Sequence, residues 1–159
     1  MEKVTTYNQL FDLLATFAKN HPEIQSYSLG TELQLDIKKN EDFVKMFILV
    51  GPAEYLRSTT AGIQVIIVDR VATLDNTYYQ NEVLSDTYQI CGDFIAWAKF
   101  NTLIPDASAI SFEPVFYEHD NVLTGWKFNL NIPVDFVFDS CFLDAETGIF
   151  DFTYDSTFN

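Results

Sequence analysis

Positive charge is the scarcest commodity in this chain of 159 residues: nine Lys and Arg stand against 23 Asp and Glu, for a net charge of -14. Such a field repels phosphates and anionic membranes, so it disfavours a nucleic-acid binder driven by electrostatics. Cysteine is nearly absent too. Cys91 and Cys141 lie 50 positions apart with no C-x-x-C, which excludes a disulfide framework and a zinc ribbon and predicts two reduced thiols. No apolar run approaches the roughly 18 residues of a membrane span. The opening MEKVTTYNQLF lacks the continuous apolar stretch of a secretory signal, so synthesis and folding in the cytoplasm are expected.

Recognisable catalytic machinery is missing as well. The chain has no P-loop, G-x-G-x-x-G, G-x-S-x-G, H-E-x-x-H or EF-hand loop. Histidine, the side chain best suited to proton transfer near neutral pH, occurs only as His21 and His119. His21 directly follows a helical run, where it suits the negative end of a helix dipole. His119 falls in a turn. Cys91 sits on an apolar helix stripe, where a small hydrophobe is expected rather than a nucleophile. Asp144 with Glu146, and Asp151 with Asp155, are close enough in sequence to share a cation. Yet DAETG meets the calcium-loop pattern only in part, and short-spaced pairs arise by chance among 23 acids. We expect no enzyme activity, no metal and no cofactor.

What the chain does have is hydrophobic and aromatic mass, 48% and 16% of residues with 15 Phe and 8 Tyr, far from the composition of disorder. Its length suits one domain. Thr6-Tyr7-Asn8-Gln9 fits a capping box, and Leu10, Leu13, Leu14, Phe17 and Ala18 follow at helical spacing, which predicts a helix over 6–20. Two short strands, 24–29 and 33–37, flank Gly30-Thr31 as a hairpin. FVKMFILV (43–50) and GIQVIIVDRV (62–71) read as central strands buried on both faces, joined by a loop over 53–60.

From about 80 to 100 the period changes. Leu84, Thr87, Tyr88, Cys91, Phe94, Ile95 and Ala98 form a stripe that leaves out Glu82, Asp86 and Asp93, and this predicts the longest helix. Gly92 within it suggests close approach of a neighbouring backbone. A strand over about 110–118 turns at 118–121 into the most regular segment of the chain, NVLTGWKFNLNIPVDFVFDSC (121–141). There Trp126, Phe128, Leu130 and Ile132 alternate with Gly125, Lys127, Asn129 and Asn131, the signature of a strand with one core face and one polar face. Pro133 should end or bulge it. The fold class expected is α+β: a mostly antiparallel sheet covered by two main helices.

Charge and aromatics are unevenly placed. Residues 1–99 carry 13 acids and 8 bases; residues 100–159 carry 10 acids and only Lys127. We therefore divide the chain into a single α+β domain over 1–134 and an acidic, aromatic extension over 135–159. That extension holds Phe136, Phe138, Phe142, Phe150, Phe152, Tyr154 and Phe158 among six acids and no Lys or Arg. Aromatics in such number are not left in water, so this segment is either a last strand of the core or an arm that docks on another chain. With Trp126, these residues form the candidate assembly interface.

SDTYQICGDFIAW (85–97) followed by NVLTGWKFNLNIPVDFVFDSC (121–141) resembles small neck and tail proteins of tailed bacteriophages, particularly those infecting Bacteroidetes, and the N-terminal VTTYNQLFDLLATFA looks alike as well. The most specific of these segments is NVLTGWKFNLNIPVDF. The resemblance, to tail terminators and head-tail connector ring proteins, implies α/β domains with helix-covered antiparallel sheets that assemble as closed rings around the DNA conduit. It implies a place in the virion, self-association and neighbouring neck or tail proteins as partners, with no catalytic residues. The acidic aromatic extension after Cys141 departs from that pattern. An acidic module that occupies a basic protein, as a nucleic-acid mimic would, is the competing expectation.

Overall fold

In the computed structural model, the structure describes residues 7–30, 42–51, 54–55, 59–71, 77–104, 109–118 and 122–134. Among the described residues eight elements follow in order: α1 (Tyr7–Asn20), β1 (Ser26–Gly30), β2 (Lys45–Val50), β3 (Glu54–Tyr55), β4 (Thr59–Arg70), α2 (Thr77–Phe100), β5 (Glu113–Glu118) and β6 (Val122–Pro133). The α+β class is as expected. The strands form one sheet of order β1-β2-β4-β6-β5, with β3 also pairing β4.

All pairings are antiparallel except β1 with β2, which is parallel from Ser26↔Lys45 to Gly30↔Leu49. The sheet is therefore mixed. β4 and β6 make its spine, in register from Thr60↔Pro133 to Arg70↔Leu123. Alternation is what makes this spine work. Ile63, Val65 and Ile67 of β4 and Phe128, Leu130 and Ile132 of β6 face one side, where Leu10, Leu14 and Phe17 of α1 and Ile90, Cys91 and Phe94 of α2 close over them. The opposite parity, Ile66 and Val68 of β4 with Phe47 and Leu49 of β2, Val115 and Leu123, forms a second, smaller apolar cluster. β2 and β4 are thus buried on both faces, which is why they read as continuous apolar runs.

Two sequence expectations need correction. The 53–60 segment is not all loop: the Gly51 N–H donates to the Gly62 carbonyl at 2.8 Å, carrying the ladder past the end of β2, and β3 then pairs Glu54↔Thr60 and Tyr55↔Thr59. Gly51 allows this because a Cβ there would sit 3.1 Å from the Gly62 carbonyl carbon. Gly92 has no such neighbour among the described residues; a Cβ there would meet nothing of another element within 4 Å. The close approach belongs instead to Gly125, whose Cβ would fall 2.0 Å from the Ile67 carbonyl oxygen. Both glycines lie off the apolar stripe of their element, and spacing along one chain cannot say which faces another backbone.

The long helix ends in a Schellman arrangement. The Leu103 N–H donates to the Ala98 carbonyl and the Thr102 N–H to the Lys99 carbonyl, both at 2.9 Å, with Thr102 at φ 56° in the left-handed position usually given to glycine. The expected 33–37 strand of the hairpin, the Thr6 cap and the whole 135–159 extension lie outside the described residues.

Candidate functional site

On the β5 side of α2 the helix does not reach the sheet edge, and a groove of about 590 Å³ opens there, lined by Asn81, Leu84, Ser85, Tyr88, Phe112 and Trp126. Helical spacing accounts for one wall: Asn81, Ser85 and Tyr88 fall along a single line of α2, with Leu84 beside them. Strand alternation accounts for the floor. Trp126 has the parity of Phe128, so its ring points toward the helices, but it lies too near the sheet edge to be fully covered. Pro114 and Phe116 of β5 pair with Trp126 and Thr124 and share that face. Phe116 is 52% exposed and Tyr88 50%.

The walls are held by directional contacts. The Trp126 Nε1–H donates to the Leu84 carbonyl at 2.7 Å, tying β6 to α2. The Tyr88 ring meets Trp126 at 5.3 Å and 62°, and Phe112 at 5.2 Å and 69°, edge-on geometries favoured by ring quadrupoles. Phe112 continues to Phe128 at 5.2 Å, Phe128 to Phe94 at 5.6 Å, and Phe94 to Phe17 at 5.1 Å. A chain of rings therefore runs from the exposed groove through the core to α1. Among the described residues of the lining none is ionisable near neutral pH. Such a groove can receive apolar or aromatic side chains, and its lining supplies no acid, base or nucleophile of ordinary reactivity.

The ionisable groups lie elsewhere. Burial pushes the Cys91 thiol up to about 12, which fits a core hydrophobe rather than a nucleophile. His21, after α1, accepts the Glu23 backbone N–H on Nδ1 at 3.3 Å and places Nε2 3.4 Å from Asp93 of α2, so it joins the two helices. Burial raises the Asp69 carboxyl above its ordinary range, against the Arg70 backbone N–H at 2.6 Å and the Arg70 guanidinium, while Asp86 adds to the rise. The only base of the C-terminal third, Lys127, pairs with Glu113 at 3.2 Å. Among the described residues no three His, Cys, Asp or Glu side chains gather as a metal site, and no helix is long and apolar enough to cross a membrane.

Of the candidate interface residues, the structure places Trp126 at the groove. Phe136, Phe138, Phe142, Phe150, Phe152, Tyr154 and Phe158 lie outside the described residues, as do His119, Cys141 and the Asp144, Glu146, Asp151 and Asp155 carboxylates. Sequence reasoning set Tyr88 on the core stripe; in the structure it leans over the sheet edge instead. Phe112 went unremarked, although its parity with Pro114 and Phe116 was available as a signal. Compared with known proteins, the chain matches no protein-family model and no curated protein sequence.

Proposed function

We propose that the chain is a structural assembly protein: a subunit of a ring or adaptor at the head-tail junction of a tailed bacteriophage, packing with its own copies and with neighbouring neck or tail proteins around the DNA conduit. The observation that carries the assembly part of this reading is the open groove of Leu84, Tyr88, Phe112 and Trp126. It presents aromatic surface to solvent with no ionisable group among its described lining residues, which suits a protein contact better than an enclosed reaction. The bacteriophage part rests on the resemblance of 85–97 and 121–141. The α+β fold with both helices on one face of the sheet is compatible with it. A subunit that closes a ring must offer two different complementary surfaces; the groove is one, and the acidic aromatic extension is the other. A net charge of -14 also suits a conduit through which phosphates pass without adhering.

The test is co-purification. The protein should sediment with intact particles and be found at the neck or tail by antibody labelling; particles purified free of it would defeat the reading. The same charge favours one second reading, an acidic module that captures a basic partner. Salt separates the two: contacts between copies that are both strongly negative tighten as salt screens their repulsion, whereas capture of a basic protein loosens.

A further inference from the structure

The groove is shaped for a particular kind of occupant. Its lining is apolar apart from the uncharged Asn81 and Ser85, so side chains entering it should be rings, and any charge they accompany must stay in water. One segment of this sequence has that pattern. In GIFDFTYD (148–155), Phe150, Phe152 and Tyr154 alternate with Asp151, Thr153 and Asp155. An extended backbone would set the three rings along one side, about 6.6 Å apart, and both carboxylates on the other. Among the described strands β5 ends the sheet on this side, and Pro114 gives its outer edge no amide at that position. Recognition there would come from the rings rather than from a full hydrogen-bonded ladder.

Where the segment comes from follows from reach and exposure. Val134 lies eight residues beyond Trp126 on β6, about 26 Å from the groove at roughly 3.3 Å per residue. The 15 residues 135–149 add a span of up to about 50 Å, more than a return to the chain's own groove requires and enough to reach that of an adjacent subunit. Among the described residues nothing fills the groove, and Tyr88 is half exposed. We propose that the groove between α2 and β5 is the socket for the C-terminal segment Phe150–Tyr154 of a second copy of this chain. Its rings seat against Tyr88, Phe112 and Trp126 while Asp151 and Asp155 face solvent. This rests on the assembly reading above and gives it a direction: each copy presents a socket and extends a plug, a head-to-tail contact that closes into a ring if the rotation permits.

The experiment uses the full chain in two formats. A fluorescent peptide of residues 147–159 is titrated with the wild-type protein. Saturable binding is expected, weakened about tenfold or more by Tyr88→Ser in the protein, a half-exposed position where the fold should survive, and equally by Phe152→Ser in the peptide, which cannot unfold anything. Binding indifferent to both changes, or no binding, overturns the proposal. In the second format p-benzoylphenylalanine replaces Phe152, and isotopically heavy and light chains are mixed and irradiated. Heavy-light crosslinks to α2 or to Phe112–Phe116 are expected; crosslinks confined to single chains, or landing elsewhere, overturn it. Oligomers or particle association that persist in Tyr88→Ser would sink the socket and leave the assembly reading standing. Absence from particles with the peptide result intact would do the reverse.

Discussion

The indole N–H of Trp126 and the carbonyl of Leu84 meet at 2.7 Å, and this bond fixes α2 against β6 at the point where the helix stops short of the sheet edge. The Leu84 carbonyl is a backbone acceptor in the helix interior, so the bond depends on position rather than on a partner side chain. Trp126→Phe keeps a ring beside Tyr88 and removes the donor. It should lower stability by about 1 kcal/mol, the net worth of one such bond, as measured by urea denaturation with an unchanged slope. A loss within error would show the bond to be incidental.

Two glycines should respond to alanine with opposite signs. At Gly125 a Cβ would lie 2.0 Å from the Ile67 oxygen and 2.8 Å from the Val68 Cα, both backbone atoms of the sheet spine, which cannot swing aside. Gly125→Ala should cost about 3 kcal/mol or more or abolish soluble expression. Gly92, solvent-exposed in the interior of α2 with open space beside it, should gain about 1 kcal/mol on Gly92→Ala from helix propensity. Thermal melts of the two variants side by side would check the pair.

Thr102 holds the left-handed position after α2 at φ 56° with a β-branched side chain, the type least suited to it. Thr102→Gly should preserve both capping bonds and relieve the steric cost, raising stability by about 1 kcal/mol. Thr102→Val should give no gain, which separates backbone relief from mere loss of a hydroxyl.

Asp69 links stability to pH. Its folded-state carboxyl is raised above the ordinary 3.8, chiefly by burial, so the folded protein holds this proton more tightly than the unfolded chain does. The ionised carboxylate therefore detracts from stability above the folded value, and the loss is relieved as pH falls through that value toward 3.8. Asp69→Asn, which keeps an oxygen for the Arg70 amide, should be more stable than the parent at pH 7, with the difference shrinking as pH falls through the raised folded value toward 3.8 and constant below it. Denaturant midpoints of both proteins across that range would show the convergence; a constant offset would assign the effect to packing.

Local pattern was enough for much of the architecture. β2 and β4 declared themselves as apolar runs because both faces are covered, β6 by strict alternation, and α1 and α2 by a stripe that recurs with the helical turn. The α+β class and the exposed parity of Asn129 and Asn131 follow from those periods alone. The acidic aromatic composition of 135–159 was equally plain.

Tertiary structure decided what depends on the distance between segments. The parallel setting of β1 beside β2, the return of β3 to β4, and the exchange of roles between Gly92 and Gly125 are relations between backbones far apart in sequence, and one segment's periodicity carries no record of its neighbour. Tyr88 shows the same limit. Helical phase placed it on the inward stripe, but α2 packs over β4 and β6 and stops short of β5, so a ring on that flank of the helix is only half covered. That shortfall turns a core position into the wall of an open groove.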